Sequence, residues 1–310
     1  MTRPVQTVAI VGPTASGKSS LAERVASHIG SSIVSVDAMQ VYRGMDIGTA
    51  KTWPRDPRVC LYMVDVADVG EDYSVSLFQV EARRCVDELL AAGTPAVLCG
   101  GTGLYLDAVI DEMDFPTGET NGAIRERYEQ LAQEQGPESL HALLAARDPH
   151  AAALIHPNNV RRVARALEML DGGVSYAHQN ANLKHRAPHY RTVIWGITMD
   201  RERLYRRIER RVDAMFDAGL VNEVERLSQI GLRESTTARQ AIGYKEVLDA
   251  LDGTITMDEA RETIKARTRR YAKRQLSWLR RDGRTRWIDY DAVGEDEALE
   301  LVLDSLKGGA

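Results

Sequence analysis

The chain has 310 residues, 44% hydrophobic and 27% charged, enough for a full core shared between about two domains. A net charge of -5 excludes a uniformly basic nucleic-acid-binding surface, so any such role must come from local clusters. Three cysteines, Cys60, Cys85 and Cys99, with no C-x-x-C pair, argue against a disulfide framework or a cysteine zinc site and fit a reducing compartment. The apolar run at 5–11 is too short for a signal h-region, and no run approaches the roughly 20 residues of a membrane span. The expected location is cytoplasmic, away from any membrane.

In chain order, Thr7-Val8-Ala9-Ile10-Val11 is a β-branched run ending in a Gly-rich loop, and residues 18–29 follow with Leu21, Val25 and Ile29 on one helical face. Gly30 breaks that helix. Ile33-Val34-Ser35-Val36 predicts a second strand ending at Asp37, and Met63-Val64 a third ending at Asp65. A helical stretch over 76–92 leads to a fourth strand, Ala96-Val97-Leu98-Cys99, which ends at Gly100-Gly101. Apolar strands alternating with helices predict an α/β fold with a mainly parallel sheet covered on both faces.

The character changes near Phe115-Pro116-Thr117-Gly118, after which 121–172 reads as helix rich in Ala, Leu, Glu and Arg. Breaks fall at Gly136-Pro137, Asp148-Pro149 and Pro157-Asn158-Asn159. A polar stretch follows, and Thr192-Val193-Ile194-Trp195-Gly196-Ile197 returns to strand; from Asp200 onward the pattern is helical. The predicted organisation is a core begun by 1–120, a helical insertion at 121–188, and a remainder at 189–310 with a helical C-terminal region.

Gly12-Pro13-Thr14-Ala15-Ser16-Gly17-Lys18-Ser19 satisfies G-x-x-x-x-G-K-[ST] between a strand and a helix. Its backbone N–H groups can converge on phosphate oxygens, Lys18 neutralises them, and Ser19 offers a hydroxyl to Mg²⁺. Such loops mostly serve nucleoside triphosphates, so the motif alone leaves an ATP-binding kinase and a transferase both open. A magnesium-organising acid at a neighbouring strand end could be Asp37 or Asp65.

The run Ser35-Val36-Asp37-Ala38-Met39-Gln40-Val41-Tyr42-Arg43-Gly44-Met45-Asp46-Ile47-Gly48-Thr49-Ala50-Lys51 closely resembles the tRNA dimethylallyltransferase family. The match continues through Gly100-Gly101-Thr102-Gly103-Leu104-Tyr105, Ile155-His156-Pro157-Asn158-Asn159, Gln240-Ala241-Ile242-Gly243-Tyr244-Lys245 and Thr268-Arg269-Arg270-Tyr271-Ala272-Lys273-Arg274-Gln275. The resemblance implies a P-loop NTPase-like core carrying a helical insertion. It further implies transfer of a dimethylallyl group from dimethylallyl diphosphate to N6 of the adenosine 3′ of the anticodon, in tRNAs reading codons that begin with U, with release of diphosphate.

Carried over by position, the family's general base falls on Asp37, its threonine near the reacting diphosphate on Thr102, and its diphosphate-binding arginine on Arg211. Contacts to the tRNA anticodon stem-loop fall on Asp37, Ala38, Met39, Gln40, Thr102 and Arg125. They fall also on Arg161, Arg162, Val163, Ala164 and Arg165, and on Gln240, Ala241, Ile242, Gly243, Tyr244 and Lys245. The expected metal is Mg²⁺ at Ser19, and the expected state a monomer. Family members commonly carry a His-His pair where this chain has Leu61-Tyr62, which puts any role for that pair in doubt.

The residue chemistry agrees. An adenine N6 amine is a poor nucleophile, so a carboxylate that takes its proton is valuable; a departing diphosphate needs cations and loop amides. Between Arg261 and Arg286 stand Arg261, Lys265, Arg267, Arg269, Arg270, Lys273, Arg274, Arg280, Arg281, Arg284 and Arg286 against only Glu262 and Asp282. That basic segment is suited to tRNA phosphates, and Tyr271 and Trp278 within it and Trp287 just after it are expected chiefly in the core. Because the target base must leave its stack, a channel between core and insertion is the expected geometry.

Overall fold

Strand β1, Thr7–Val11, is buried along its whole length because alternate residues serve opposite faces of a sheet covered on both sides. Ala9 and Val11 enter one hydrophobic cluster, while Val8 and Ile10 enter the other. A computed structural model describes residues 5–115, 122–183 and 187–307. In it β1 is followed by α1 (Lys18–Ile29), β2 (Ile33–Ser35), β3 (Leu61–Tyr62), α2 (Val75–Ala91), β4 (Ala96–Gly100) and α3 (Gly103–Ile110). After the insertion come β5 (Thr192–Thr198), α9 (Arg201–Asp217), α10 (Leu220–Ser228), α11 (Tyr244–Leu251), α12 (Met257–Leu279), β6 (Thr285–Asp289) and α13 (Glu295–Lys307).

The strands form one sheet in the order β3-β2-β4-β1-β5-β6, and every pairing is parallel. The carboxyl ends of β1, β2 and β4 therefore lie side by side, where open α/β sheets bind their ligands. On one face Phe78, Val86, Val109 and Ile110 cover the sheet together with residues of α10 and α11. On the other, Leu21 and Val25 of α1 and Ala298 and Val302 of α13 do so.

Two strand expectations need correction. The third strand pairs at Leu61–Tyr62, not at Met63-Val64, because Met63 has φ 62° and Asp65 φ 55°, left-handed values that turn the chain out of the sheet. This also gives Leu61 and Tyr62 their place as the edge strand. A sixth strand, Thr285–Asp289, lies in the segment read as helical: basic residues mask its short apolar face, and only Ile288 is fully enclosed.

The chain divides into two compact units, one of 1–110 with 188–310 and the other of 111–187. The second unit contains α4 (Ala123–Gln135), α5 (Pro137–Arg147), α6 (Pro149–Leu154), α7 (Val160–Asp171) and α8 (Tyr176–Asn182). Its first three helix breaks stand where the Gly-Pro, Asp-Pro and Pro-Asn-Asn signals put them, whereas α8 lies in the stretch read only as polar. The unit owns a separate core including Tyr128, Leu140, Leu144, Val163 and Leu167. The break expected at Pro116-Thr117-Gly118 lies outside the described residues. On the first unit's side of the junction, the Ile110 carbonyl accepts from the N–H groups of His189 (2.8 Å) and Tyr190 (3.3 Å).

Candidate active site

The loop after β1 is shaped by two left-handed residues, Ala15 (φ 63°) and Gly17 (φ 100°). Gly17 is the N-cap of α1 and adopts a conformation that a side chain would resist, so the chain can wrap and start the helix at Lys18. Two arginines of α9 hold this loop from outside. Arg207 Nε donates to the Ala15 carbonyl at 2.7 Å, and Arg211 Nη1 donates to Thr14 Oγ1 at 3.1 Å.

Beyond the loop lies a cavity of about 420 Å³ lined by Lys18, Ser19, Asp37, Gln40, Thr102 and Arg211, among others. Four lining cations, Lys18, Arg211, Arg267 and Arg274, face one lining carboxylate, Asp37. Burial lowers the proton affinity of Lys18, with Arg211 adding to the effect while Cys99 and Asp37 oppose it. Arg211 is lowered for the same reason, burial first and the neighbouring Arg207 second. Cations held together against burial make a site that an anion relieves. Cys99, at the end of β4, is pushed up to about 11 by burial and stays a neutral thiol.

Asp37 follows β2 and is fixed by an Asx-type turn in which Met39 N–H donates to its Oδ1 at 3.0 Å. Its Oδ2 has no hydrogen-bond donor among the described residues. Thr102, after β4, accepts Ala38 N–H on Oγ1 at 3.1 Å, tying the two strand ends together. Gln40 is gripped by Ser35, whose hydroxyl donates to Oε1 at 2.9 Å, and by the Thr49 carbonyl, which accepts from Nε2 at 3.2 Å. Asp65 is differently employed. Lys51, whose side chain is 1% exposed, donates to Asp65 at 2.5 Å, to Asp46 at 3.0 Å and to the Tyr42 carbonyl at 2.6 Å, and Asp65 does not line the cavity.

Of the block 240–245, Gln240, Ala241 and Ile242 border the cavity. Gly243 caps α11, Lys245 pairs with Asp249 at 2.9 Å, and Tyr244 is fully buried with its hydroxyl donating to Glu223 at 2.6 Å. No sequence motif gives Glu223 a role. Its carboxylate also accepts the N–H groups of Asp46, Ile47 and Gly48 at 3.1, 2.8 and 3.1 Å, fixing the loop that carries Gly48, Thr49 and Ala50 into the cavity wall. A buried acid between two loops is visible in sequence only as a glutamate on the apolar stripe of α10.

Helix α12 divides the basic segment. Lys265 pairs with Asp213, Arg267 with the buried Glu246 and Arg269 with Glu209, so these cations are already partnered within the fold. Arg270, Lys273, Arg274, Arg280 and Arg281 are exposed and make no ion pair among the described residues. Tyr271 lines the cavity, and burial raises its phenol to about 12. Trp278 donates to Asp107 at 3.0 Å, and Trp287 of β6 packs on the core.

In the insertion, Arg125 and Arg165 both reach the buried carboxylate of Glu168, at 2.8 and 3.0 Å, and Arg161 and Arg162 are exposed on the first turn of α7. Val163 and Ala164 are enclosed in that unit's core, so any side-chain contact to RNA there falls to the arginines.

The family described as IPP transferase matches residues 40–282, and the one described as isopentenyl transferase matches 5–57. The chain is 46% identical to a tRNA dimethylallyltransferase of Carboxydothermus hydrogenoformans over 96% of its own length and 95% of the relative's. It is 45% identical to one of Streptomyces coelicolor, over 97% and 95%. Among solved structures, a tRNA isopentenylpyrophosphate transferase from Bacillus halodurans superposes with a TM-score of 0.70 at 39% identity, covering 98% of this chain and 97% of that one. A eukaryotic dimethylallyltransferase acting on tRNA gives 0.80 at 25% identity, over 98% and 80%.

Proposed function

The chain belongs to the tRNA dimethylallyltransferase family, and from that premise we propose that it moves a dimethylallyl group from dimethylallyl diphosphate to N6 of the adenosine 3′ of the anticodon. The observation that carries the assignment of roles is the cavity itself. One carboxylate with an open oxygen, Asp37, shares it with the cations of a phosphate-gripping loop.

The diphosphate sits against the loop amides, Lys18 and Arg211, which stabilise charge as the bond from allylic carbon to oxygen breaks. The N6 amine forms the new bond to that carbon and gives a proton to Asp37 Oδ2, so diphosphate and the alkylated base are the products. Thr102 keeps the Asp37 segment in register with the end of β4 through Ala38. Mg²⁺ fits beside the phosphate loop, where the Ser19 hydroxyl that lines the cavity would hold it and Asp37 is kept as the base. When bound it neutralises leaving-group charge.

The tRNA is held by the exposed cations of α12 and, in the insertion, by Arg161 and Arg162 with Arg125 and Arg165 on Glu168. No helix of the described residues is long and apolar enough to cross a membrane; the cytoplasmic location follows from the tRNA substrate proposed for the chain. The test is transfer of a labelled allyl group from dimethylallyl diphosphate onto unmodified tRNA reading codons that begin with U, with Mg²⁺ present. Transfer to the base is expected; no transfer, with ATP hydrolysis or phosphorylation of a metabolite instead, overturns the reading.

A further inference from the structure

Helix α12 buries Ala260, Ile264, Ala272, Gln275 and Leu279, so one polar side chain interrupts an otherwise apolar stripe. A primary amide in that position costs free energy unless both its ends are bonded. Both are. Gln275 Oε1 accepts the backbone N–H of Thr14 at 2.9 Å, and its Nε2 donates to the Gly101 carbonyl at 3.0 Å. The amide is seated so closely that a Cβ on residue 101 would lie 2.1 Å from Nε2, which accounts for glycine there.

Each of these bonds leads to a different side of the reaction. Thr14 is the residue whose Oγ1 receives Arg211, so the first bond sets the loop and its arginine where the leaving group sits. Gly101 precedes Thr102, whose Oγ1 takes the N–H of Ala38 beside Asp37, so the second sets the base. We infer that Gln275 is a positioning residue, one side chain that fixes the distance between the diphosphate loop and the general base. This rests on the function proposed above, in which those two parts act on leaving group and nucleophile.

Gln275→Met keeps the volume and removes both bonds. Calorimetry with inorganic diphosphate and Mg²⁺ on the full chain is expected to show affinity weakened about tenfold, the equivalent of one or two displaced hydrogen bonds. In steady-state transfer, KM for dimethylallyl diphosphate rises by a similar factor and kcat falls, while the affinity for an anticodon stem-loop RNA changes less than about threefold. Gln275→Glu, which keeps an acceptor for the Thr14 N–H and removes the donor to the Gly101 carbonyl, is expected to give the same split to a smaller degree and serves if Gln275→Met does not fold. An unchanged diphosphate affinity, or an equal loss for RNA, overturns the inference and leaves Gln275 a packing residue. Because the calorimetry needs no turnover, wild-type protein that binds diphosphate but transfers nothing refutes the proposed function separately.

Discussion

Neighbouring strands β2 and β3 each lead to an aspartate just past their carboxyl ends, and the fold treats the two oppositely. Asp37 has one oxygen bound by its own turn and the other open to the cavity, whereas Asp65 is held by a buried lysine. The same division runs through the cations of α12, some paired with carboxylates of α9 and α11 and others exposed without a partner among the described residues. Charge type and strand-end position do not make a functional group. What separates the classes is whether the fold has already supplied a partner.

The sharpest way to break this comparison is to neutralise both aspartates. Asp37→Asn is expected to lower kcat for allyl transfer by about 10²–10⁴-fold with tRNA affinity within about threefold, measured by single-turnover transfer and filter binding. Asp65→Asn is expected to leave kcat within about threefold and to cost about 1–2 kcal/mol of stability, read by urea denaturation, since Lys51 keeps Asp46 and the Tyr42 carbonyl. Comparable kcat losses in both would show that partnership is not the criterion.

Glu223 is the extreme of a committed charge, with four donors and 5% exposure. Glu223→Gln turns an NH₂ toward those donors and is expected to cost about 2–4 kcal/mol of unfolding free energy, with part of the activity lost through the loosened 46–48 loop. A melting temperature equal to wild type would contradict the network. The smallest effect separates the cations. Neutralising Arg270, Lys273 or Arg274 singly is expected to flatten the slope of log affinity against log salt by about 0.7–0.9 each, whereas Lys265→Gln leaves it unchanged. Equal slopes would mean that the paired cations release their carboxylates to bind RNA.

Much of this architecture is readable from the chain, and the reasons differ by element. The apolar run before Gly12, the glycines and Lys18 carry local geometry, so the loop, the strand before it and the helix after it stand out. Helix breaks in the insertion are equally local, being Gly-Pro and Asp-Pro pairs. What escapes is non-local. The commitment of Asp65 depends on Lys51 arriving from another loop, the employment of Gln275 on two turns far away in sequence, and strand β6 on finding β5 beside it. Composition counted all the bases of the C-terminal segment alike because pairing with Asp213, Glu246 and Glu209 is set by packing of α12 on α9 and α11.

The meeting of Ile110 with His189 and Tyr190 has a consequence for how the protein can vary. A segment whose entry and exit already sit a hydrogen bond apart is, for the sheet, a closed circuit: its length hardly enters the stability of the strands. Doubling such a loop adds only about 0.6 kcal/mol of closure entropy. For the strands of the sheet, the length of the insertion, which has its own core, is therefore a minor term.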